Sequence, residues 1–182
     1  MDVIHLYHFI ELLNDPTKLG VFMKSRTYYA RDRKKPIFAI RPGATGDISL
    51  EPDQTGSQFV AWCQRRAGPY NPSTIVYGDL LYVLLDRGLV AAYESKNGKM
   101  VFGPERLVAR GGAFTSSPWA YNGKLFFLDE NGATYVLKAG RQYELLAVNR
   151  LDEDEGICMA TPAMSEGNLL IRTDNRLYCI GK

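Results

Sequence analysis

Apolar positions return along this chain at a fixed long interval. Leu81-Tyr82-Val83 comes back as Leu125-Phe126-Phe127 and again as Leu169-Leu170-Ile171, so that positions 81, 125 and 169 are each 44 residues apart. Around each copy the polar residues repeat as well. Thr74, Pro118 and Pro162 open the three units, each following a small hydroxyl residue, Ser73, Ser117 or Thr161. A short extended strand A is implied after each. It is closed by a tight turn at Gly78-Asp79, Asn122-Gly123 or Glu166-Gly167, where Gly or Asn accepts the positive φ that a hairpin needs.

Strand B is expected over 80–85, 124–129 and 168–173, and it ends in Asp86-Arg87-Gly88, Glu130-Asn131-Gly132 or Asp174-Asn175-Arg176. An acid, a polar residue and then usually Gly is again turn chemistry. Strand C follows over 89–93, 133–137 and 177–180. Runs such as Leu81-Tyr82-Val83-Leu84-Leu85 are apolar on both faces, where a surface strand would alternate, which predicts strands buried on both sides. A fourth strand D is visible in two units, after the Asn97-Gly98 turn at Met100-Val101-Phe102 and in the stretch 138–147. Upstream, 26–30 reads as a strand B, 31–36 as its turn, 37–40 as a strand C and 58–62 as a strand D.

Self-similarity at ~40–45 residues with four strands per unit is the pattern of a β-propeller blade. The predicted fold is all-β, a partial β-propeller of about three and a half four-stranded antiparallel blades with a short N-terminal helix. The expected layout is a helical or irregular segment over 1–25 and blades over 26–182, divided as 26–66 (partial), 73–103 (full), 117–148 (full) and 160–182 (three strands). The helix rests on Val3, Ile4, Leu6, Tyr7, Ile10, Leu12 and Leu13 at helical spacings, stopped by Asp15-Pro16.

The stretch Ala92-Tyr93-Glu94-Ser95-Lys96-Asn97-Gly98-Lys99-Met100-Val101-Phe102 resembles the repeat of the pyrroloquinoline-quinone (PQQ) type propellers, Ala-x-Asp-x-x-Thr-Gly-Lys-x-x-Trp. Glu94, Asn97 and Phe102 stand where that repeat has Asp, Thr and Trp. Residues 37–43 and the ending Leu177-Tyr178-Cys179-Ile180-Gly181 are similar to the C-terminal blades of secreted bacterial PQQ-like repeat proteins. The resemblance spans roughly residues 26–182 and implies an exported setting, periplasmic or secreted. Yet Asp2, His5, His8 and Glu11 interrupt any apolar run that a signal peptide would need.

Closed propellers carry ~4–8 blades, and an open one exposes strand edges and flanks. Two organisations are therefore expected: the C-terminal part of a longer propeller, or a half-propeller that closes by pairing with a second copy. The 182 residues are 46% hydrophobic, enough for a real core, and the formal charge of +2 is too small to argue for nucleic acid or an anionic membrane. No stretch of ~18 apolar residues is present to span a membrane.

Candidate chemistry is sparse. PQQ-dependent alcohol dehydrogenases share this type of propeller, and the resemblance implies for them an adjacent Cys-Cys pair and a calcium ion held by Glu, Asn and Asp. Here Cys63, Cys158 and Cys179 are scattered. Asp152-Glu153-Asp154-Glu155 is contiguous rather than alternating as calcium ligands would be. His5 and His8 lack the third ligand of a zinc helix. Arg31, Arg33, Lys34 and Lys35 read as a hydrated turn, and Gly43 and Gly46 as turn glycines without a phosphate loop's Gly-Lys-Ser/Thr. No catalytic, cofactor-binding or metal residues are assigned, and no cofactor is expected unless the chain is part of a PQQ and calcium enzyme. The loops from strand D to the next strand A gather on one propeller face, which makes Tyr70, Asn71, Arg110, Phe114 and Trp119 the candidate binding rim. A protein partner, or self-association through open edges, is the expected use of that surface.

Overall fold

The computed structural model describes residues 20–23, 35–108, 112–151 and 156–181. Every regular element among them is a β-strand. The first sheet joins β1 (Gly20–Met23), β2 (Ile37–Ile40) and β3 (Val60–Gln64) in that order. The second runs β4 (Ile75–Tyr77), β5 (Leu80–Leu85), β6 (Leu89–Glu94), β7 (Met100–Arg106), and the third β8 (Trp119–Tyr121), β9 (Lys124–Leu128), β10 (Ala133–Lys138), β11 (Leu145–Arg150). The fourth has three strands, β12 (Ala163–Ser165), β13 (Asn168–Arg172) and β14 (Leu177–Ile180).

Strands A, B and C of the last three sheets start at residues 75, 119 and 163, then 80, 124 and 168, then 89, 133 and 177. The sequence period is thus kept residue for residue. The first sheet departs from expectation in one place. Its strand B is Gly20–Met23, paired antiparallel with Ile37–Ile40, and so lies inside the segment read as helical or irregular. The predicted strand at 26–30 and the predicted helix at 1–14 lie outside the described residues.

The A–B turns show the backbone their sequences call for. Gly78 has φ +65°, Asn122 and Gly123 have +46° and +71°, and Glu166 and Gly167 have +50° and +80°. Glu166 therefore holds a left-handed conformation that costs a side chain with a Cβ roughly 1–2 kcal/mol.

Packing divides the chain into two compact units, Met1–Gly68 with Glu94–Lys99, and Pro69–Tyr93 with Met100–Lys182. In the first unit Phe38, Ile40, Ile48, Val60 and Cys63 form the core. Ile37, Ala39 and Trp62 are buried as well. The Trp62 indole N–H donates to the Ser95 carbonyl at 2.8 Å, and the Gln64 side-chain amide to the Gly98 carbonyl at 2.8 Å. Gly98 has φ +71°, and a Cβ there would stand 2.6 Å from Trp62 Cδ2. Turn chemistry (Asn97 Oδ1 accepting from the Lys99 amide) and the indole together explain why only glycine fits at that position.

In the second unit the main core draws Leu80, Tyr82, Leu84, Val90 and Ala92 from the second sheet and Leu125, Phe127, Ala133, Tyr135 and Leu137 from the third, with Phe114 between. Leu81 and Val83, pointing the other way along β5, are equally buried, so that this strand is covered on both faces as its sequence predicts. Tyrosine hydroxyls pin the same two sheets. Tyr82 Oη accepts from the Gly140 amide at 2.9 Å, and Tyr77 Oη from the Gly123 amide at 2.8 Å. A smaller core of Trp119, Leu128, Cys158 and Ile171 joins the third sheet to the fourth. Burial then falls away: β11 and β12 are exposed along their whole length, and Leu177 is 68% exposed.

Gly98→Ala is expected to destabilise the protein by about 1–3 kcal/mol, since it adds both a strained φ and a clash with Trp62. Glu166→Gly, which relieves the same φ with nothing within 4 Å of it on the neighbouring Gly167, is expected to add up to about 1 kcal/mol. Urea unfolding followed by tryptophan fluorescence measures both, and equal midpoints for wild type and Gly98→Ala would discard the close contact.

Candidate binding rim

The acids of the three B–C turns, Asp86, Glu130 and Asp174, stand 44 residues apart, and each grips the loop that leads into its own sheet. Asp86 Oδ1 accepts from the backbone amides of Tyr70 at 2.9 Å and Asn71 at 3.0 Å. Glu130 Oε1 accepts from the Thr115 hydroxyl at 2.5 Å, and Asp174 Oδ1 from the Ile157 amide at 2.8 Å. The main chain of the first two turns then holds the next incoming loop: the Asp86 carbonyl accepts from the Phe114 amide at 3.0 Å, and the Glu130 carbonyl from the Cys158 amide at 2.9 Å.

A second periodic link joins the starts of the A strands. The Ser73 amide donates to Ser117 Oγ at 2.9 Å, and the Ser117 amide to Thr161 Oγ1 at 2.9 Å. Ser117 and Thr161, the small hydroxyl residues before β8 and β12, are therefore acceptors for the preceding sheet. Ser116, 1% exposed, donates its hydroxyl to the Leu128 carbonyl at 2.8 Å, so that this crowded corner leaves its polar groups satisfied.

The structure separates the candidate rim residues. Tyr70, 42% exposed, and Asn71 lie at the surface on the loop that Asp86 fixes. Phe114 is 1% exposed and packs its ring against Tyr135, with centroids 5.8 Å apart, so its side chain is core and not a contact surface. Gly88 makes this possible, because a Cβ at that residue would stand 2.7 Å from the Phe114 ring. Trp119 is 9% exposed and stacks on Phe126 at 5.3 Å, its cross-strand neighbour, which also makes it a packing residue. Arg110 lies outside the described residues.

Beside the Asp86 turn is a cavity of about 400 Å³ lined by Asp86, Arg87, Arg106, Gly112 and Ala113. The two arginines were not among the residues singled out from sequence. Their signal is faint: Arg87 occupies the turn position that is Asn131 and Asn175 in the other sheets.

Among the described residues no three His, Cys, Asp or Glu side chains are grouped so as to hold a metal ion. His5, His8 and the acidic run 152–155 lie outside them, as do Arg31, Arg33 and Lys34. Gly43 and Gly46 have φ +79° and +70° with open space around them, as turn glycines do. Cys63, Cys158 and Cys179 are free thiols, and no two are adjacent in sequence. Burial raises the Cys63 thiol above its usual range, with nearby Arg65 opposing. Burial also raises the Tyr135 phenol, reinforced by Asp129, whose carboxylate caps the amides of Asn131 and Ala133.

The comparisons with solved structures agree on the architecture. BamB from Moraxella catarrhalis matches with a TM-score of 0.61 at 14% identity, over 90% of this chain and 42% of that one. A europium-containing methanol dehydrogenase matches at 0.58 and 8% identity, over 86% of this chain and 33% of that one. The fold is that of a PQQ-like β-propeller. The quinohemoprotein alcohol dehydrogenase ADHIIG from Pseudomonas putida HK5 matches at 0.55 and 13% identity, over 76% of this chain and 25% of that one. The chain thus spans between a quarter and somewhat under half of the length of these PQQ-like propeller structures. No sequence-family model and no curated protein matches it.

Ellman's reagent under native conditions is expected to modify about one thiol quickly, the exposed Cys179, while the buried Cys63 and Cys158 react only as the protein opens. A Cys179→Ser variant should lose the fast phase, and a fast phase that persists would contradict the burial of the other two.

Proposed function

We propose that this chain is a non-catalytic PQQ-like β-propeller segment that serves as a protein-binding scaffold, within a larger exported propeller. One observation carries the reading. The periodic polar side chains of the rim, Asp86, Glu130, Asp174, Ser117 and Thr161, are engaged in holding loops and A strands in place. A surface organised this way offers a fixed arrangement of loops, including exposed Tyr70, to a partner. The alternative is part of a PQQ-dependent quinoprotein oxidoreductase, as the two dehydrogenases with this fold suggest, with its cofactor site in blades other than these.

The fourth sheet favours a second reading, self-association. Met164, Leu177 and Ile180 are 57%, 68% and 48% exposed, and the outer edge of β14 pairs with no other strand among the described residues. Unpaired edges with exposed apolar side chains associate readily.

Incubated with PQQ and calcium chloride, the purified chain is expected to show no saturable change in quinone absorbance and no dye reduction with a primary alcohol. Saturable quinone uptake coupled to alcohol-dependent dye reduction would replace the scaffold reading with the enzyme one. Sedimentation velocity tests self-association: the expected result is a concentration-dependent dimer that Leu177→Asp weakens, and a strictly monomeric protein with intact β-sheet circular dichroism removes that reading.

A further inference from the structure

The cavity beside the Asp86 turn differs from the equivalent places in the other sheets by its charge. Arg87 and Arg106 both line it and both are exposed, and neither forms an ion pair among the described residues. The hairpin itself does not call for Arg87, since the turns at Asn131 and Asn175 form with a neutral residue at the same period position. Arg106, by contrast, has a counterpart in Arg150. The second sheet therefore sets two guanidinium groups around this hollow, where the matching positions of the third sheet hold Asn131 and Arg150. The one acid in the lining, Asp86, has both carboxylate oxygens within hydrogen-bond reach of the Tyr70 amide, and Oδ1 also takes the Asn71 amide. That draws its charge toward the incoming loop and leaves the guanidinium groups as the donors open to a ligand.

We infer that this cavity binds carboxylate side chains of an acidic peptide segment. Guanidinium groups pair carboxylates through two parallel N–H donors, and a hollow of about 400 Å³ has room for one or two such side chains. The exposed Tyr70, carried on the loop that Asp86 anchors, supplies an apolar neighbour of the kind partner surfaces use. The inference rests on the scaffold reading and names the chemistry of its partner.

The test is fluorescence anisotropy of a fluorescein-labelled hexaglutamate peptide titrated with the full chain at low ionic strength, where exposed charges are least screened. Saturable binding is expected, weakened by about tenfold or more in an Arg87→Ala/Arg106→Ala double variant with an unchanged unfolding midpoint, and little altered by Arg172→Ala at a remote exposed cation. Absence of saturable binding, equal binding of hexaglutamine, or an equal loss in Arg172→Ala would each overturn it. Displacement by inorganic phosphate beyond what chloride achieves at equal ionic strength would reassign the cavity to phosphate and also overturn it. Failure of any kind here, with no quinone uptake by the same preparation, removes the acidic partner and leaves the scaffold itself standing.

Discussion

A carboxylate at a hairpin turn, reaching back to the backbone of the loop that feeds its own sheet, is the interaction on which the rest of the second unit depends. Loops between sheets are the costly part of a repeat fold, because each residue held in one conformation loses about 1–2 kcal/mol of backbone entropy. A charged acceptor offsets part of that cost, at about 1.5–3 kcal/mol per bond to an ionised group. Asp86 and Asp174 make such bonds to main-chain amides, and Glu130 makes its equivalent through Thr115. With the loop anchored, its last residues deliver strand A where the preceding sheet can be packed against it. Phe114, a loop residue filling the main core, is the plainest result.

Packing then follows from strands that are apolar on both faces. β5 and β10 are buried almost end to end, as strands apolar on both faces have to be. Tyr77 shows what a neighbouring sheet adds, since its hydroxyl takes the Gly123 amide. Tyr121, one period later, is 63% exposed. The same residue type at the same place in the repeat is thus a lock in one sheet and a surface group in the next, and the difference lies in what stands across from it.

Much of the fold was legible in the sequence because its determinants are local and periodic. Turn glycines, the acid of each B–C turn and the two-sided apolar strands all lie within a few residues of the elements they define. What the sequence did not disclose depends on pairings between distant positions. Phe114 reads as a loop aromatic until Gly88, 26 residues earlier, is seen to leave room for its ring. Trp119 could have been placed: a two-residue turn at Asn122-Gly123 sets it opposite Phe126, and stacking across the hairpin follows. Strand β1 escaped because it is far from β2 in sequence, with no tight-turn residues at the spacing of the other hairpins. The arginine-lined hollow was hidden for another reason, since a departure from the repeat stands out only after the positions have been aligned in space.

The hydroxyl relay from Ser73 through Ser117 to Thr161 has a direction: at each step a backbone amide gives and the side chain one period ahead receives. Ser117 does both. The unit that begins at Ser117 therefore carries one half of the junction behind it and one half of the junction in front. Duplication of such a unit in the gene would bring complete junctions with it, and rings of different blade number become reachable by copying alone, with no new contact to be invented.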